Sequence, residues 1–377
     1  MWTRGAPTAL LLLCAALSTA VIASDIREIF YSQIRELLNT PPFIQKKTSP
    51  KPTEVINWGI NLEDELGQVT GVSVNKNGQP VVIHRGRRSL DSSSQFFNAS
   101  NNYIGKDGPI HENTIVTLDP LDGKIVQSWG KDLFYMPHGI TIDHHNNTWV
   151  TDIAMHQVLK FPYKNHDRPT LRLGELFTPG DSERRFCKPT SVAIALDGHI
   201  FVADGYCNSR IMKFNHEGAL VRIFPQNGEF PSLLIPHSIT LLHHLGQLCV
   251  ADREHMRVVC FDAGLCPNPS SRRTLPFIIN QPDMGRMFGI ASNGDLVYAV
   301  SGPTFSLIPA QGFTIDLKAE LIVEHWKPSS DEFTNPHDMA ISPLGDALYV
   351  TEIGPNRVWK FNIEGGTTAN RRRCPDS

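Results

Sequence analysis

The sequence lacks several features that mark common classes of protein. After its first two dozen residues, no apolar run approaches the roughly twenty residues that a membrane-spanning helix needs. Neither sign of charge is in excess, because 35 Lys and Arg face 38 Asp and Glu, and the formal net charge is −3. The one compact basic run, residues 371–373, lies in the C-terminal tail. We therefore expect no membrane span and no nucleic-acid partner.

The N-terminus is the exception to this shortage of apolar runs. Arg4 precedes an apolar stretch from Ala9 to Ala20, and small residues around Ala23 offer a cleavage site. This pattern predicts a signal peptide over residues 1–23 and entry into the secretory pathway. Because no retention signal closes the chain, the protein is expected to be secreted or held in secretory granules.

The remainder predicts one domain with short flanking segments. With 377 residues and 41% hydrophobic side chains, the chain can bury a single core over residues 56–365. Residues 24–55 are predicted to form a leader with a short helix followed by a linker rich in Pro, Lys and Thr. The helix is either a loosely ordered leader or an amphipathic partner-binding segment. Residues 366–377 form a C-terminal tail.

A repeat with a period of about fifty residues runs through the domain. Each copy has short strands of alternating apolar residues, separated by turns of Gly, Asn and Asp. The first strands begin at Thr70, His138, Thr190, His237, Phe288 and His337. This pattern is typical of a β-propeller, in which each repeat forms one antiparallel sheet. Six copies predict an all-β, six-bladed β-propeller with a short N-terminal helical leader.

Histidine occupies the first position of every second copy, at His138, His237 and His337, each time after a proline. Because the first strand of a blade lines the central channel, the three imidazoles should converge about 120° apart. A lone channel histidine is more often a hydrogen-bonded structural residue, but three at symmetric positions predict a metal site. Three protein ligands with an open fourth position are typical of catalytic zinc. Zinc is favoured over iron or copper because no carboxylate or thiolate joins the trio.

Arg85, Arg253 and Tyr206 occupy nearly equivalent positions in the turn after the second strand of three copies. Beside two guanidinium groups and a metal, Tyr206 could act as a base, since fixed positive charge lowers the pKa of a phenol. A fall from about 10 to about 7 needs roughly 4 kcal/mol. An arginine is also a natural clamp for a substrate carboxylate. The residues alone leave a second interpretation open, in which the arginines pair with turn aspartates and Tyr206 only packs.

Cleavage of the signal peptide removes Cys14 and leaves six cysteines in an oxidising compartment. Four of them are expected to bridge within single blades, Cys187 with Cys207 and Cys249 with Cys260. Cys266 and Cys374 either pair with each other, if the tail folds back, or leave a free thiol. In the same compartment Asn98 and Asn146 lie in sequons for N-glycosylation.

Four segments closely resemble the peptidyl-α-hydroxyglycine α-amidating lyases, the second catalytic unit of peptide C-terminal amidation. They are residues 136–140, 204–211, 246–254 and 336–338. The resemblance covers the chain from about Val69 to Phe361. It implies a propeller with NHL-like repeats that splits a peptide ending in α-hydroxyglycine into the peptide amide and glyoxylate, completing neuropeptide and hormone amidation.

The resemblance also implies roles for individual residues. Zinc would be held by His138, His237 and His337, and the catalytic and substrate-binding residues would be Tyr206, Arg85 and Arg253. A structural calcium in the channel would be bound by the backbone carbonyls of Val72 and Ile140 and by the carboxylate of Asp338. The two within-blade cysteine pairs match the family's disulfides.

Two departures from the family accompany the resemblance. Asn335 precedes the last Pro-His pair where an apolar residue is expected, which would alter substrate fit at the channel mouth. The chain has no hydroxylating domain, so a separate copper-dependent monooxygenase would have to supply the substrate to this monomeric enzyme.

Two alternative functions remain open at this point. A calcium-dependent propeller hydrolase of the lactonase or paraoxonase kind would need Asp, Asn and Glu on its inner strands, where this chain has His and Thr. A non-enzymatic binding propeller would need none of Tyr206, Arg85 or Arg253.

Overall fold

The fold is known from a computed structural model, which describes residues 50–89, 95–226, 228–266, 275–305 and 307–364. Within these ranges the chain forms twenty-four strands and one short helix, and the strands make six four-stranded antiparallel sheets. The predicted all-β, six-bladed propeller is therefore confirmed. The predicted signal peptide, leader helix and C-terminal tail lie outside the described residues.

The first strand, β1 (Pro52–Glu54), is separated from the rest of the N-terminal half by helix α1 (Leu62–Glu65). Blade 1 consists of β2 (Val69–Val74), β3 (Pro80–His84), β4 (Ile115–Leu118) and β5 (Ile125–Trp129). Blade 2 consists of β6 (Pro137–Ile142), β7 (Thr148–Asp152), β8 (Gln157–Phe161) and β9 (Leu171–Leu173). Blade 3 consists of β10 (Ser191–Ile194), β11 (Ile200–Asp204), β12 (Arg210–Phe214) and β13 (Leu220–Phe224).

The second half repeats the same order of strands. Blade 4 consists of β14 (Pro236–Leu242), β15 (Gln247–Asp252), β16 (Arg257–Asp262) and β17 (Phe277–Ile279). Blade 5 consists of β18 (Met287–Asn293), β19 (Leu296–Ser301), β20 (Gly312–Asp316) and β21 (Leu321–Trp326). Blade 6 consists of β22 (Pro336–Ile341), β23 (Ala347–Glu352), β24 (Val358–Ile363) and the early strand β1.

The pairing of β1 with β24 closes the ring, because it joins the start of the domain to its last blade. Glu54 strengthens this closure, since its carboxylate accepts hydrogen bonds from Ser329 and Ser330. The propeller thus begins earlier than the residue 56 expected from sequence. A three-residue strand that opens with proline gives no alternating pattern to detect, and an edge strand tolerates proline because the missing N–H faces away from the ladder.

The hydrophobic core is divided among the interfaces between neighbouring blades. One cluster packs Phe201 and Phe224 of blade 3 against Leu248 and Phe261 of blade 4, and similar clusters fill the other interfaces. Because each blade buries both of its faces, second strands such as β11 and β15 are buried along their whole length. Truncating a buried aromatic residue such as Phe201 to alanine should cost about 3–5 kcal/mol of unfolding free energy.

Five of the six inner strands open on an irregularity that affects the first residue of the repeat, and β10 of blade 3 is the exception. The register between the first and second strands skips His237 in blade 4, His337 in blade 6 and His138 in blade 2. It also skips Thr70 in blade 1 and Phe288 in blade 5. A bulge leaves the extra residue out of the ladder and re-aims its side chain. The bulges therefore release the histidines from strand pairing at the point where the blades meet.

Candidate metal centre and active site

The three histidines predicted to bind a metal come together in the structure. One ring nitrogen from each of His138, His237 and His337 lies within 4.8 Å of the other two, and all three residues are buried. Their ring centroids are 5.0, 4.9 and 4.7 Å apart. Every second blade thus contributes one imidazole, as the repeat predicted, and the cluster can hold a metal ion.

The orientation of each imidazole is fixed by the neighbouring blade. Nδ1 of His138 donates to the carbonyl of Thr190 at 2.8 Å, and Nδ1 of His237 donates to the carbonyl of Phe288 at 2.8 Å. Nδ1 of His337 donates to the carbonyl of Thr70 at 2.7 Å. Each acceptor is the residue at the same repeat position in the next blade. Because a backbone carbonyl can only accept, each Nε2 is left unprotonated and able to bind a metal.

The protonation of the histidines also suits a metal site. Burial holds the pKa of His138 and His237 well below the ordinary range, and it lowers the pKa of His337 to about 3. The imidazoles are therefore neutral at physiological pH, which is the form that binds a metal. Three neutral imidazole nitrogens are donors that suit zinc.

Tyr206 lies directly against the histidine cluster. Its hydroxyl is 2.9 Å from Nε2 of His138 and 3.3 Å from Nε2 of His237. Burial raises the pKa of Tyr206, although the positive charges of Arg253 and Arg85 act in the opposite direction. In the protein alone the pKa therefore moves against the sequence expectation, because desolvation of the phenolate outweighs two guanidinium groups.

Arg85 reaches the same region from blade 1. Its side chain is only 1% exposed, its Nε donates to the carbonyl of Pro137 at 3.0 Å, and its Nη1 donates to Oε1 of Gln68 at 2.6 Å. Burial lowers the pKa of Arg85 to about 10, while Tyr206 and Asp152 act to raise it. The guanidinium therefore remains positively charged at neutral pH.

Arg253 approaches Tyr206 from blade 4. Its guanidinium carbon lies 5.4 Å from the ring centre of Tyr206 and 5.1 Å from that of Phe288, both within the range of a cation–π contact. Its Nε donates to Oε1 of Glu254 at 2.9 Å, and the other oxygen of Glu254 accepts from Arg286 at 2.9 Å. The structure thus brings Tyr206 and both arginines together beside the histidines.

The turn aspartates have other partners. Asp152 accepts hydrogen bonds from four backbone N–H groups, of residues 135, 136, 154 and 155. Asp204 pairs with Arg210, and Asp252 pairs with Arg257. In the described residues neither site arginine forms a direct ion pair with these aspartates, although Asp152 acts on Arg85 at longer range. The sequence did not identify Gln68, Glu254 or Arg286 as neighbours of the two site arginines. Only Glu254 offered a signal, because it directly follows Arg253.

The residues predicted to bind calcium line, together with the histidines, a channel of about 300 Å³ that the inner strands enclose. Asp338 lines this channel, and its Oδ2 accepts from the N–H of Val72 at 3.2 Å. Burial raises the pKa of Asp338 to about 7, and no Lys or Arg in the described residues forms an ion pair with it. A partly buried carboxylate without a cationic partner suits a cation site, but the calcium ion and the contribution of Ile140 stay predictions.

Both within-blade disulfides are confirmed. Cys187 bonds Cys207 with their Cα atoms 5.3 Å apart, and Cys249 bonds Cys260 across two paired strands with their Cα atoms 4.0 Å apart. The first of these bonds is adjacent to Tyr206 and restrains the turn that carries it. Cys374 lies outside the described residues, so its pairing with Cys266 stays a prediction.

The two sequons differ in accessibility. Asn98 is exposed in a turn, whereas Asn146 is 7% exposed and its Oδ1 accepts the N–H of Lys76 at 2.9 Å. The burial of Asn146 leaves little room for a glycan on its Nδ2, although glycosylation at either residue stays a prediction. Asn335 lies at the turn before β22, where its N–H donates to Glu352 at 2.7 Å. Its effect on substrate fit is likewise a prediction.

None of the described helical residues forms a segment of the length and hydropathy that would be required to cross a bilayer.

Comparisons with known proteins agree with this fold and identify a family. Residues 186–214 and 233–261 match the model of the NHL repeat. Over 318 residues the chain is 53% identical to peptidyl-alpha-hydroxyglycine alpha-amidating lyase 2 of Drosophila melanogaster, which covers 83% of this chain and 76% of that protein. Lyase 1 of the same species is 41% identical over 328 residues, covering 81% of this chain and 58% of that protein.

A third relative is a larger protein. The peptidyl-glycine alpha-amidating monooxygenase of Mus musculus is 38% identical over 326 residues, which cover 82% of this chain. The chain spans only 32% of that monooxygenase.

Proposed function

The chain belongs to the peptidyl-α-hydroxyglycine α-amidating lyase family, a family of lyases, and from this premise we propose that it is a zinc-dependent enzyme that produces a peptide amide and glyoxylate. The observation that carries the proposal is the convergence of three neutral histidines, two of which lie within hydrogen-bonding distance of the Tyr206 hydroxyl. Two arginines beside that hydroxyl suit a substrate that ends in a carboxylate.

The proposed reaction is balanced without another reactant. The substrate carries an amide nitrogen, a hydroxyl and a carboxylate on one carbon. The bond from that carbon to nitrogen breaks, the carbon–oxygen bond becomes a carbonyl, and the hydroxyl proton is transferred to the amide nitrogen. The products are the peptide amide and glyoxylate, so neither an oxidant nor a reductant is needed.

In this proposal His138, His237 and His337 hold zinc through their Nε2 atoms. When bound, zinc supplies positive charge that lowers the pKa of a nearby hydroxyl, both that of the substrate and that of Tyr206. Tyr206 Oη accepts the proton of the substrate hydroxyl and returns a proton to the leaving nitrogen. Its oxygen lies 2.9 and 3.3 Å from two of these Nε2 atoms, so it is next to the place that the metal would occupy.

The arginines bind and orient the substrate in this scheme. Arg85 is buried and Arg253 is stacked between two aromatic rings, so both guanidinium groups are held in a small set of conformations. A carboxylate bound there would place its α-carbon near Tyr206 at little further entropic cost. Asp338, together with the carbonyls of Val72 and Ile140, is proposed to hold a structural calcium that ties inner strands together.

A secretory location and a separate supplier of substrate complete the proposal. Two disulfides and the likeness to peptide-amidating enzymes fit the secretory pathway. The hydroxylated substrate would come from a copper-dependent monooxygenase, as the likeness to the mouse monooxygenase supports. Storage in granules, release from the cell and a monomeric state are parts of the proposal.

The test is product analysis with a synthetic peptide that ends in α-hydroxyglycine. The purified protein should release the peptide amide and glyoxylate in equal amounts, and faster than the substrate decays in buffer. A control protein with Tyr206→Phe should fall toward the spontaneous rate. If the wild-type protein does not exceed that rate, or if hydrolysis at another bond occurs instead, the proposed function is wrong.

A further inference from the structure

Two side chains outside the predicted site accept hydrogen bonds from the two arginines, and these two acceptors differ in charge. The carboxamide of Gln68 accepts from Arg85, whereas the carboxylate of Glu254 accepts from Arg253. Glutamine and glutamate have nearly the same shape, so the contrast between the two contacts is mainly one of charge.

Arg85 is buried with neutral acceptors only. Oε1 of Gln68 lies 2.6 Å from its Nη1, the carbonyl of Gln68 lies 3.0 Å from its backbone nitrogen, and Nε2 of Gln68 donates to Ser89 at 3.2 Å. The nearby carboxylate of Asp152 is occupied by backbone N–H groups. A buried guanidinium without a bound carboxylate is costly, which indicates that its charge has another use.

Arg253 has the opposite arrangement. Glu254 bonds it at 2.9 Å and uses its second oxygen to bond Arg286 at 2.9 Å. The Glu254 side chain is only 22% exposed, so solvent screens this carboxylate incompletely. The charge of Arg253 is therefore partly compensated by a carboxylate in direct contact, whereas Arg85 contacts only neutral acceptors and interacts with Asp152 at longer range.

We propose that Gln68 and Glu254 are positioning residues that set how much positive charge the two arginines present to the substrate carboxylate. Gln68 fixes Arg85 without cancelling its charge, and Glu254 fixes Arg253 while reducing its charge. The identity of the bound anion rests on the proposed function, but the charge contrast does not depend on the reaction.

Two near-isosteric substitutions should move anion binding in opposite directions. Gln68→Glu keeps an oxygen acceptor for Arg85 and adds a negative charge, so binding of a carboxylate should weaken on the order of tenfold. Glu254→Gln keeps an acceptor for Arg253 and removes a negative charge, so binding should tighten by roughly threefold. A purely structural role would weaken binding in both variants.

The probes are benzoylglycine, which carries the carboxylate but cannot react, and benzoylglycinamide, which has the same shape without the charge. Dissociation constants measured by calorimetry should show the two opposite shifts for benzoylglycine and no shift for benzoylglycinamide. Gln79→Glu in blade 1 and Glu217→Gln on the exposed turn before β13 are matched controls, and both should bind benzoylglycine like the wild type.

Several results would overturn the inference. One is an equal loss of benzoylglycine affinity in both variants, and another is an equal change of affinity for the charged and the neutral probe. A third is wild-type affinity for benzoylglycine in Gln68→Glu. If Gln68→Glu fails to fold, the Glu254→Gln variant still decides, because misfolding cannot tighten binding. Failure of the proposed function has a different signature, since a wild-type protein that releases no glyoxylate could still show the opposite shifts in benzoylglycine binding.

Discussion

Replacing Tyr206 with phenylalanine removes one oxygen from the site and leaves the ring in place. The phenylalanine ring can keep the contacts with Arg253 and with the neighbouring apolar cluster, so the fold and the histidine geometry should persist. The lost hydrogen bond should cost only about 1 kcal/mol of unfolding free energy. The change therefore tests the hydroxyl itself.

The expected loss of activity follows from the position of that hydroxyl. Tyr206 Oη lies 2.9 and 3.3 Å from two imidazole nitrogens, and no other phenol contacts the histidine cluster in the described residues. General acid–base catalysis by a positioned side chain contributes about 10²–10⁴-fold. We expect kcat to fall by that factor, which corresponds to roughly 3–5 kcal/mol, while KM changes by less than about threefold.

The assay is steady-state release of glyoxylate from an α-hydroxyglycine peptide, with metal content and unfolding midpoint measured on the same preparation. Tyr163→Phe, on the turn between β8 and β9, is the matched control and should retain wild-type rates. If Tyr206→Phe keeps full metal content and kcat within about threefold of the wild type, Tyr206 is not the proton-transfer residue.

The other predictions concern stability and modification. Burial lowers the pKa of His84 to about 4, so the folded protein binds a proton at this residue less readily than the unfolded chain does. The urea midpoint should therefore fall as the pH drops from about 6.5 to about 4. An unchanged midpoint in the wild type, or an equal fall in His84→Gln, would contradict this. Replacing Cys187 and Cys207 with serine opens a 20-residue loop and should cost about 3 kcal/mol of unfolding free energy. It should also lower kcat, because the disulfide restrains the turn that carries Tyr206. A melting temperature equal to that of the wild type would refute the predicted loss of stability. In secreted protein, glycan mapping should find Asn98 occupied and Asn146 bare, and the reverse occupancy would show that the folded arrangement does not govern modification.

The sequence predicted the ring of blades and the histidine trio because both depend on spacing alone. A repeat places His138, His237 and His337 at one structural position whatever the detailed packing of the blades. The strand bulges that release these residues were not predicted, because a bulge is a property of pairing between strands.

The parts of the site that depend on burial could not be predicted. Spacing placed two positive charges near Tyr206, but the cost of desolvating its phenolate appears only when the whole pocket is assembled. Gln68 and Glu254 were missed for a related reason. Each acts through contact with one guanidinium group, and Gln68 lies 17 positions from Arg85 in the chain.

We propose that a metal held by the three histidines drives release of glyoxylate, and a metal titration tests this directly. The protein should be stripped with a chelator and then titrated with zinc, while bound metal and glyoxylate release are measured in the same samples. We expect one zinc per chain at full activity, no glyoxylate above the spontaneous rate in the stripped protein, and loss of zinc binding in His237→Ala. Full activity in the stripped protein, or full zinc binding by His237→Ala, would contradict it.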